Sequence, residues 1–249
     1  MTIRHIFAAA GIGLAAASLQ AQPLGDEQYD SWPTYRGDDL ELRVDNSGTH
    51  FTLWSPKAQA AKVLIYNTDR NTPAVDTLTM TQSDSGTWRV SVPEKLYGKF
   101  YTFAVTVDGK QLAETPGIWA KAVGTNGHRA AIVDLDATDP EGWNDDRGPA
   151  IDNITDAVLY EMHHRDFSMH PTSGIVHKGK FLALTEPGTT GPEGVATGID
   201  HLKELGVTHV HILPSYDYNS VDESQLPSNQ YNWGYDPYNY NAPEGSYST

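Results

Sequence analysis

The stretch Gln230-Tyr231-Asn232-Trp233-Gly234-Tyr235-Asp236-Pro237-Tyr238-Asn239-Tyr240-Asn241 decides how the rest of the chain is read. Aromatic rings, side-chain amides, a carboxylate, a glycine and a proline share these positions. Gly234 and Pro237 interrupt any regular period, so the spacing predicts a loop. Flat rings beside amides and a carboxylate suit a sugar site. The CH faces of a pyranose lie on a ring, and its hydroxyls take directed hydrogen bonds. An aromatic loop packed under its own domain draws on the same residue types, and composition alone leaves both readings open.

Upstream of this stretch, Val207-Thr208-His209-Val210-His211-Ile212-Leu213-Pro214 reads as a strand. Before it, Gly198-Ile199-Asp200-His201-Leu202-Lys203-Glu204-Leu205-Gly206 places Ile199, Leu202 and Leu205 on one helical face and ends on a glycine terminator. A glycine- and proline-rich loop precedes that helix. Ahead of the loop, Ala157-Val158-Leu159-Tyr160-Glu161-Met162-His163 is short and mostly apolar, as a strand buried on both faces would be. Strand, helix, strand is a βαβ unit with a parallel pair. Charged and breaking residues accumulate from Asp136 to Pro149 and predict a domain boundary.

Further upstream, short alternating runs separated by turns predict six or seven strands and a β-sandwich. They include Leu40-Glu41-Leu42-Arg43-Val44, Phe51-Thr52-Leu53-Trp54, Lys62-Val63-Leu64-Ile65-Tyr66, Thr77-Leu78-Thr79-Met80 and Trp88-Arg89-Val90-Ser91-Val92. Tyr101-Thr102-Phe103-Ala104-Val105-Thr106-Val107 then turns through Asp108-Gly109, a hairpin signal. Trp54 and Trp88 alternate within strands and are expected in the core.

At the start, Arg4 and His5 precede an apolar run from Ile6 to Ala17, followed by Ser18-Leu19-Gln20-Ala21-Gln22. That is the layout of a secretory signal peptide cut after Ala21, and the run is short of the roughly 20 apolar residues a membrane span needs. It predicts a secreted or periplasmic protein. No cysteine is present, which excludes disulfides, a thiol nucleophile, thiolate metal sites and a lipid anchor at the cut. A formal net charge of −15 argues against nucleic acid or an anionic membrane as partner and suits an uncharged substrate. No phosphate-cradling glycine loop and no Gly-x-Ser-x-Gly occurs.

Tyr231-Asn232-Trp233-Gly234-Tyr235-Asp236-Pro237 resembles the signature of type I pullulanases, debranching enzymes of the alpha-amylase superfamily of glycoside hydrolases. Asn239-Tyr240-Asn241 and the run from Pro243 to Thr249 are similar to that family as well. Tyr160-Glu161-Met162-His163-His164-Arg165-Asp166-Phe167-Ser168 resembles the opening of its (β/α)8 barrel. Phe51-Thr52-Leu53-Trp54-Ser55-Pro56, Gly86-Thr87-Trp88 and the run from Ala120 to Gly127 resemble the immunoglobulin-like modules that precede such barrels. Where the family often reads Asp-Pro-Tyr before Ala-Lys-Ala, this chain reads Gly117-Ile118-Trp119.

The resemblance implies a multidomain chain. By their local pattern, residues 1–21 are expected to be a signal peptide and 22–39 an extended lead-in. Residues 40–149 form an immunoglobulin-like β-sandwich resembling a carbohydrate-binding module. Residues 150–249 hold the first βαβ unit of an incomplete (β/α)8 TIM barrel. A whole barrel takes about 250 residues, so the catalytic part is expected to be truncated. The implied activity is retaining hydrolysis of α-1,6 branches in pullulan or starch-type α-glucans.

By the same resemblance Tyr235 stacks on the glucose at the cleaved bond, Asp236 holds that sugar, and Trp233 binds it or supports the loop. The catalytic Asp, Glu and Asp are expected beyond Thr249, so the chain alone is expected to be inactive. Glu161 and Asp166 do not occupy those positions, and Arg165 and Asp166 are expected to brace the site from below. No cofactor is required; calcium is possible.

Two alternatives stay open. One is a non-catalytic starch-binding protein. The other is a metal-dependent hydrolase using His209 and His211, which share a strand face, with His163, His164 and His170 as further ligands. The competing account of the same pair is two barrel-interior histidines.

Overall fold

Alternation of apolar and polar residues builds the first half of this chain, and a parallel strand pair builds the second. The computed structural model describes residues 31–228 and 230–249. The segment read as a signal peptide lies outside the described residues.

Among the described residues nine strands precede residue 132: β1 (Glu41–Asp45), β2 (Gly48–Trp54), β3 (Ala60–Tyr66), β4 (Asp76–Thr79), β5 (Thr81–Gln82), β6 (Thr87–Val92), β7 (Phe100–Val107), β8 (Lys110–Gln111) and β9 (Ala130–Ala131). One antiparallel sheet runs β1-β2-β6-β5 and the other β4-β3-β7-β8, with β9 also on β7. The two sheets share one core. Phe51 of β2 meets Tyr101 and Phe103 of β7 edge-on at 5.1 and 6.3 Å, and Val63, Ile65, Trp88 and Ile132 close around them. This is the expected immunoglobulin-like sandwich, with nine strands in place of six or seven because β5, β8 and β9 are two-residue pieces. Apolar burial holds it, each large side chain contributing roughly 1.5–3 kcal/mol.

The two tryptophans separate. Trp88 is buried, with its indole N–H donating to the Ser55 carbonyl at 3.1 Å. Trp54 is 39% exposed, which corrects the core expectation. It is the last residue of β2, where the sheet ends, and its indole N–H donates to the Ser85 carbonyl at 3.1 Å.

Every residue from 133 to 150 is exposed. Beyond this run lie β10 (Leu159–Met162), α1 (Asp166–Met169), α2 (Gly198–Glu204) and β11 (His209–Ile212). β10 and β11 pair in parallel, Leu159 opposite His209 and Met162 opposite Ile212, with α2 between them in sequence. Leu202 anchors α2, while Leu205 falls at its C-cap and is exposed. The strand faces differ from expectation too. Met162 is buried, but Leu159, Val210 and Ile212 are exposed, because only two strands form this sheet among the described residues.

The aromatic stretch is a loop only in its first half. Its second half is β13 (Pro237–Pro243), antiparallel to β12 (Tyr216–Tyr218) with register shifts. Pro237 is tolerated because it opens the strand, where no ladder N–H is needed. Beside this ribbon Tyr218, Val221 and Tyr247 form a small second core against Phe181. Residues Thr34–Thr249 form one compact unit. No helix of the described residues is long and apolar enough to cross a membrane.

Candidate functional site: an aromatic loop at the ends of the parallel strands

The loop 230–236 is fastened to both parallel strands just past their carboxyl ends. His163 follows β10, and its ring Nε2 lies 2.6 Å from the main-chain oxygen of Asn232. A carbonyl only accepts, so Nε2 carries the proton; Nδ1 then accepts from the Asp166 main-chain N–H at 3.3 Å. On the other strand, Pro214 follows β11. Gly234 approaches it so closely that a Cβ there would sit 2.0 Å from the Pro214 carbonyl oxygen. Gly234 also has φ +93°, a conformation that side chains with a Cβ rarely adopt.

Asn232 organises the loop, a role the sequence did not assign to it. It is buried. Its Oδ1 accepts from the Gly234 N–H at 2.6 Å, and its Nδ2 donates to Ser220 Oγ at 2.7 Å and Asp236 Oδ1 at 2.5 Å. Asp236 is therefore braced from within the loop. Burial pushes its carboxyl up, but hydrogen bonds from Ser220 and Asn232 outweigh that and hold it below the ordinary aspartate value. It stays an anion, able to accept from a hydroxyl.

The rings stand outward. Tyr235 is 68% exposed and Trp233 63%. Trp233 meets Tyr231 edge-on at 6.2 Å, and Tyr231 in turn lies 5.2 Å from the His163 ring. A cavity of about 260 Å³ lies beneath, lined by Gln230, Asn232, Tyr218, Tyr247 and Arg165 among others. Such an arrangement presents aromatic faces and one anchored carboxylate to solvent over a hydrogen-bonded base. Local chemistry left outward and packed rings both open; the family resemblance singled out Tyr235 and Trp233, and the structure exposes both. Sequence reasoning missed Asn232 because the anchors that fix it, Ser220 and His163, lie on other segments.

Among the described residues the histidines do not assemble a metal site. His209 and His211 are exposed rather than interior, because the faces of the two-stranded sheet are open. His211 Nδ1 instead lies 3.2 Å from Glu161 Oε2. His163 is engaged with Asn232, His164 stacks on Tyr247 at 5.4 Å, and His170 Nδ1 lies 2.8 Å from Thr172 Oγ1. Arg165 and Asp166 pair with each other at 3.2 Å beside the base of the loop.

A group that could hold a metal is carboxylate instead. One oxygen from each of Asp217, Glu223 and Glu244 lies within 4.8 Å of the others. Asp217 and Glu244 are buried, and Glu223 Oε1 has no hydrogen-bond partner. Burial raises Asp217 to about 7, with Glu223 and Glu244 adding to the rise and Asn239 opposing it. An all-oxygen set suits a hard cation such as calcium. The sequence carried one signal: no Lys or Arg follows Lys203 to neutralise these acids.

Comparisons with known proteins agree with this layout. Residues 35–123 match the family model of carbohydrate-binding module 48 (isoamylase N-terminal domain). The chain is 39% identical over 201 residues to a pullulanase of Bacillus subtilis, covering 81% of this chain and 27% of that protein. Its fold is similar to the crystal structure of apo pullulanase from Paenibacillus barengoltzii, with TM-score 0.86 and 52% identity, covering 90% of this chain and 34% of that one. It is also similar to pullulanase from Bacillus acidopullulyticus, with TM-score 0.82 and 44% identity over 88% of this chain and 26% of that one. The chain thus spans about a quarter to a third of the length of these relatives.

Proposed function

We propose that this chain, a relative of the pullulanases across most of its length, supplies the glucan-receiving wall of a debranching glycoside hydrolase. The carrying observation is the double attachment of the aromatic loop, through His163 and Asn232 to the end of β10 and through Gly234 and Pro214 to the end of β11. In a (β/α)8 barrel the active site lies at the carboxyl ends of the strands. β10, α2 and β11 have the order and parallel pairing of the first βαβ unit of such a barrel.

In this reading Tyr235 lies against the apolar face of the glucose beside the cleaved bond, and the Asp236 carboxylate accepts from one of its hydroxyls. Trp233 and Tyr231 buttress the platform and extend it. The reaction is hydrolysis with retention: one carboxylate attacks the anomeric carbon and an acid protonates the leaving oxygen. Asp236 is assigned to binding, since Asn232 and Ser220 keep it ionised and tied to the loop. The attacking and protonating groups are assigned to an enzyme of the relatives' full length, and the α-1,6 preference follows the relatives' names. The apolar run from Ile6 supports export of the mature chain.

Product analysis tests the reading. An enzyme of that length carrying this chain should convert pullulan to maltotriose, the unit between its α-1,6 links. Release of panose or glucose, or no digestion, would contradict it.

A further inference from the structure

We propose that the sandwich turn Thr125–Gly127, between β8 and β9, holds the aromatic loop in position, with Asn126 as a positioning residue for the hydrolysis. The inference rests on the reading of that loop as a glucan platform, but it concerns how the loop is held and not what it binds.

The turn is fixed at its base within the sandwich. The Thr125 main-chain N–H and hydroxyl both donate to Asp69 Oδ2, at 3.3 and 2.5 Å. The Gly124 N–H donates to the Arg129 carbonyl at 2.8 Å. Asn126 sits at φ +60°, a left-handed conformation that asparagine tolerates better than most side chains.

From this base the turn reaches both ends of the loop. Asn126 and Glu223 exchange two bonds: the Asn126 N–H donates to Glu223 Oε2 at 2.6 Å, and the Glu223 N–H donates to Asn126 Oδ1 at 2.8 Å. Asn126 Nδ2 also donates to Asp222 Oδ1 at 3.1 Å. Asp222 in turn holds Gln230, where the loop begins. Its N–H donates to Gln230 Oε1 at 2.7 Å, and its carbonyl accepts from Gln230 Nε2 at 2.9 Å. Just past the loop, Asn239 Nδ2 donates to the Gly127 carbonyl at 3.0 Å, and His128 meets Tyr238 edge-on at 5.8 Å. Gly127 is buried at φ +68°. A Cβ there would sit 2.3 Å from Asp217 Oδ2 and 2.5 Å from Asn239 Nδ2, so this seat takes glycine alone.

A turn that only fastened the sandwich to the following segment would need no link to either end of the loop. This one grips the entry through Asp222 and the exit through Asn239. His163 and Pro214 fix the middle of the loop, and the sandwich fixes its two ends. A loop pinned along its length loses little freedom when a glucose stacks on Tyr235. The sandwich thereby acts on the reaction without touching the sugar.

Fluorine NMR of the full chain labelled with 5-fluorotryptophan tests this without relying on activity. The Trp233 line, identified by its loss in Trp233→Phe, reports the loop because that ring stands edge-on to Tyr231 at 6.2 Å. Asn126→Gly keeps the left-handed backbone and removes the side-chain bonds. It should shift the Trp233 line toward that of the free amino acid. Asn126→Asp keeps the size and sets a carboxylate against Asp222. It should shift the same line, and it decides the matter if the glycine variant loses its circular dichroism spectrum. In an enzyme of the relatives' full length either substitution should lower kcat/KM on pullulan at least about tenfold, as displaced binding groups do. A lowered melting temperature with the Trp233 line unmoved, or a moved line with kcat/KM unchanged, would overturn the inference. A wild-type enzyme that leaves pullulan undigested would overturn the debranching reading instead, while the Trp233 line still decides whether the turn holds the loop.

Discussion

The ring Nε2 of His163 donates to the main-chain oxygen of Asn232 across 2.6 Å, joining the end of a parallel strand to the base of the aromatic loop. Both residues are buried, so the contact cannot be replaced by bulk water. His163→Ala would leave that carbonyl without its donor at a cost of about 1–3 kcal/mol. Urea unfolding should report this loss. It should be less than additive with Asn232→Ala, because both changes break one network.

Gly234 makes the matching contact on the other strand. Gly234→Ala must either relieve a 2.0 Å approach to the Pro214 carbonyl or abandon φ +93°. The dihedral alone costs about 1–3 kcal/mol. The melting temperature should fall, and the crystal structure of the variant should show the loop moved off the end of β11. A variant with wild-type stability and loop position would mean the contact does not constrain the loop.

Stability should depend on pH through buried carboxyls, Glu41 and Asp217 among them; burial raises Glu244 as well. Burial holds Glu41 up to about 7, against hydrogen bonds from Trp119 and Ile118 and the charge of Lys121; burial likewise holds Asp217 up to about 7. The folded chain therefore keeps protons that the unfolded chain releases near pH 4. Their contribution is complete below about pH 4 and is lost as pH rises to about 7, on the order of 3 kcal/mol for each. Asp39 and Asp69 are held below their ordinary value and act in the opposite direction, but equally in wild type and variants. Denaturant midpoints from about pH 4 to about pH 8 should fall less steeply in Glu41→Gln and Asp217→Asn than in wild type.

The sandwich tryptophans should separate as their burial does. Trp88→Ala empties a packed core position and should cost about 3–5 kcal/mol. Trp54→Ala, at an exposed strand end, should cost about 1 kcal/mol, mostly its bond to Ser85. Equal losses would mean the core assignment is wrong.

What the sequence made legible was local. The sandwich strands followed from period-two alternation, and β10, α2 and β11 from short apolar runs around a glycine-terminated helix. Trp54 was misread because alternation does not say where a sheet ends. β13 was read as loop because Pro237 and the irregular register hide its pairing with β12, twenty residues upstream. Asn232 ties its own loop to Ser220 and His163, and the trio of Asp217, Glu223 and Glu244 is assembled from separate segments, so no spacing rule reaches either. Tyr235 and Trp233 were singled out by the resemblance of a contiguous string, since their residue types alone fit a packed loop as well as an exposed one.

The most direct test of the account is the turnover of pullulan by a full-length enzyme carrying Tyr235→Ala in this chain. The account predicts a fall of at least about a hundredfold with the fold intact, as expected when a platform that orients the glucose at the cleaved bond is removed. Turnover equal to wild type would contradict it and return the aromatic loop to a purely structural role.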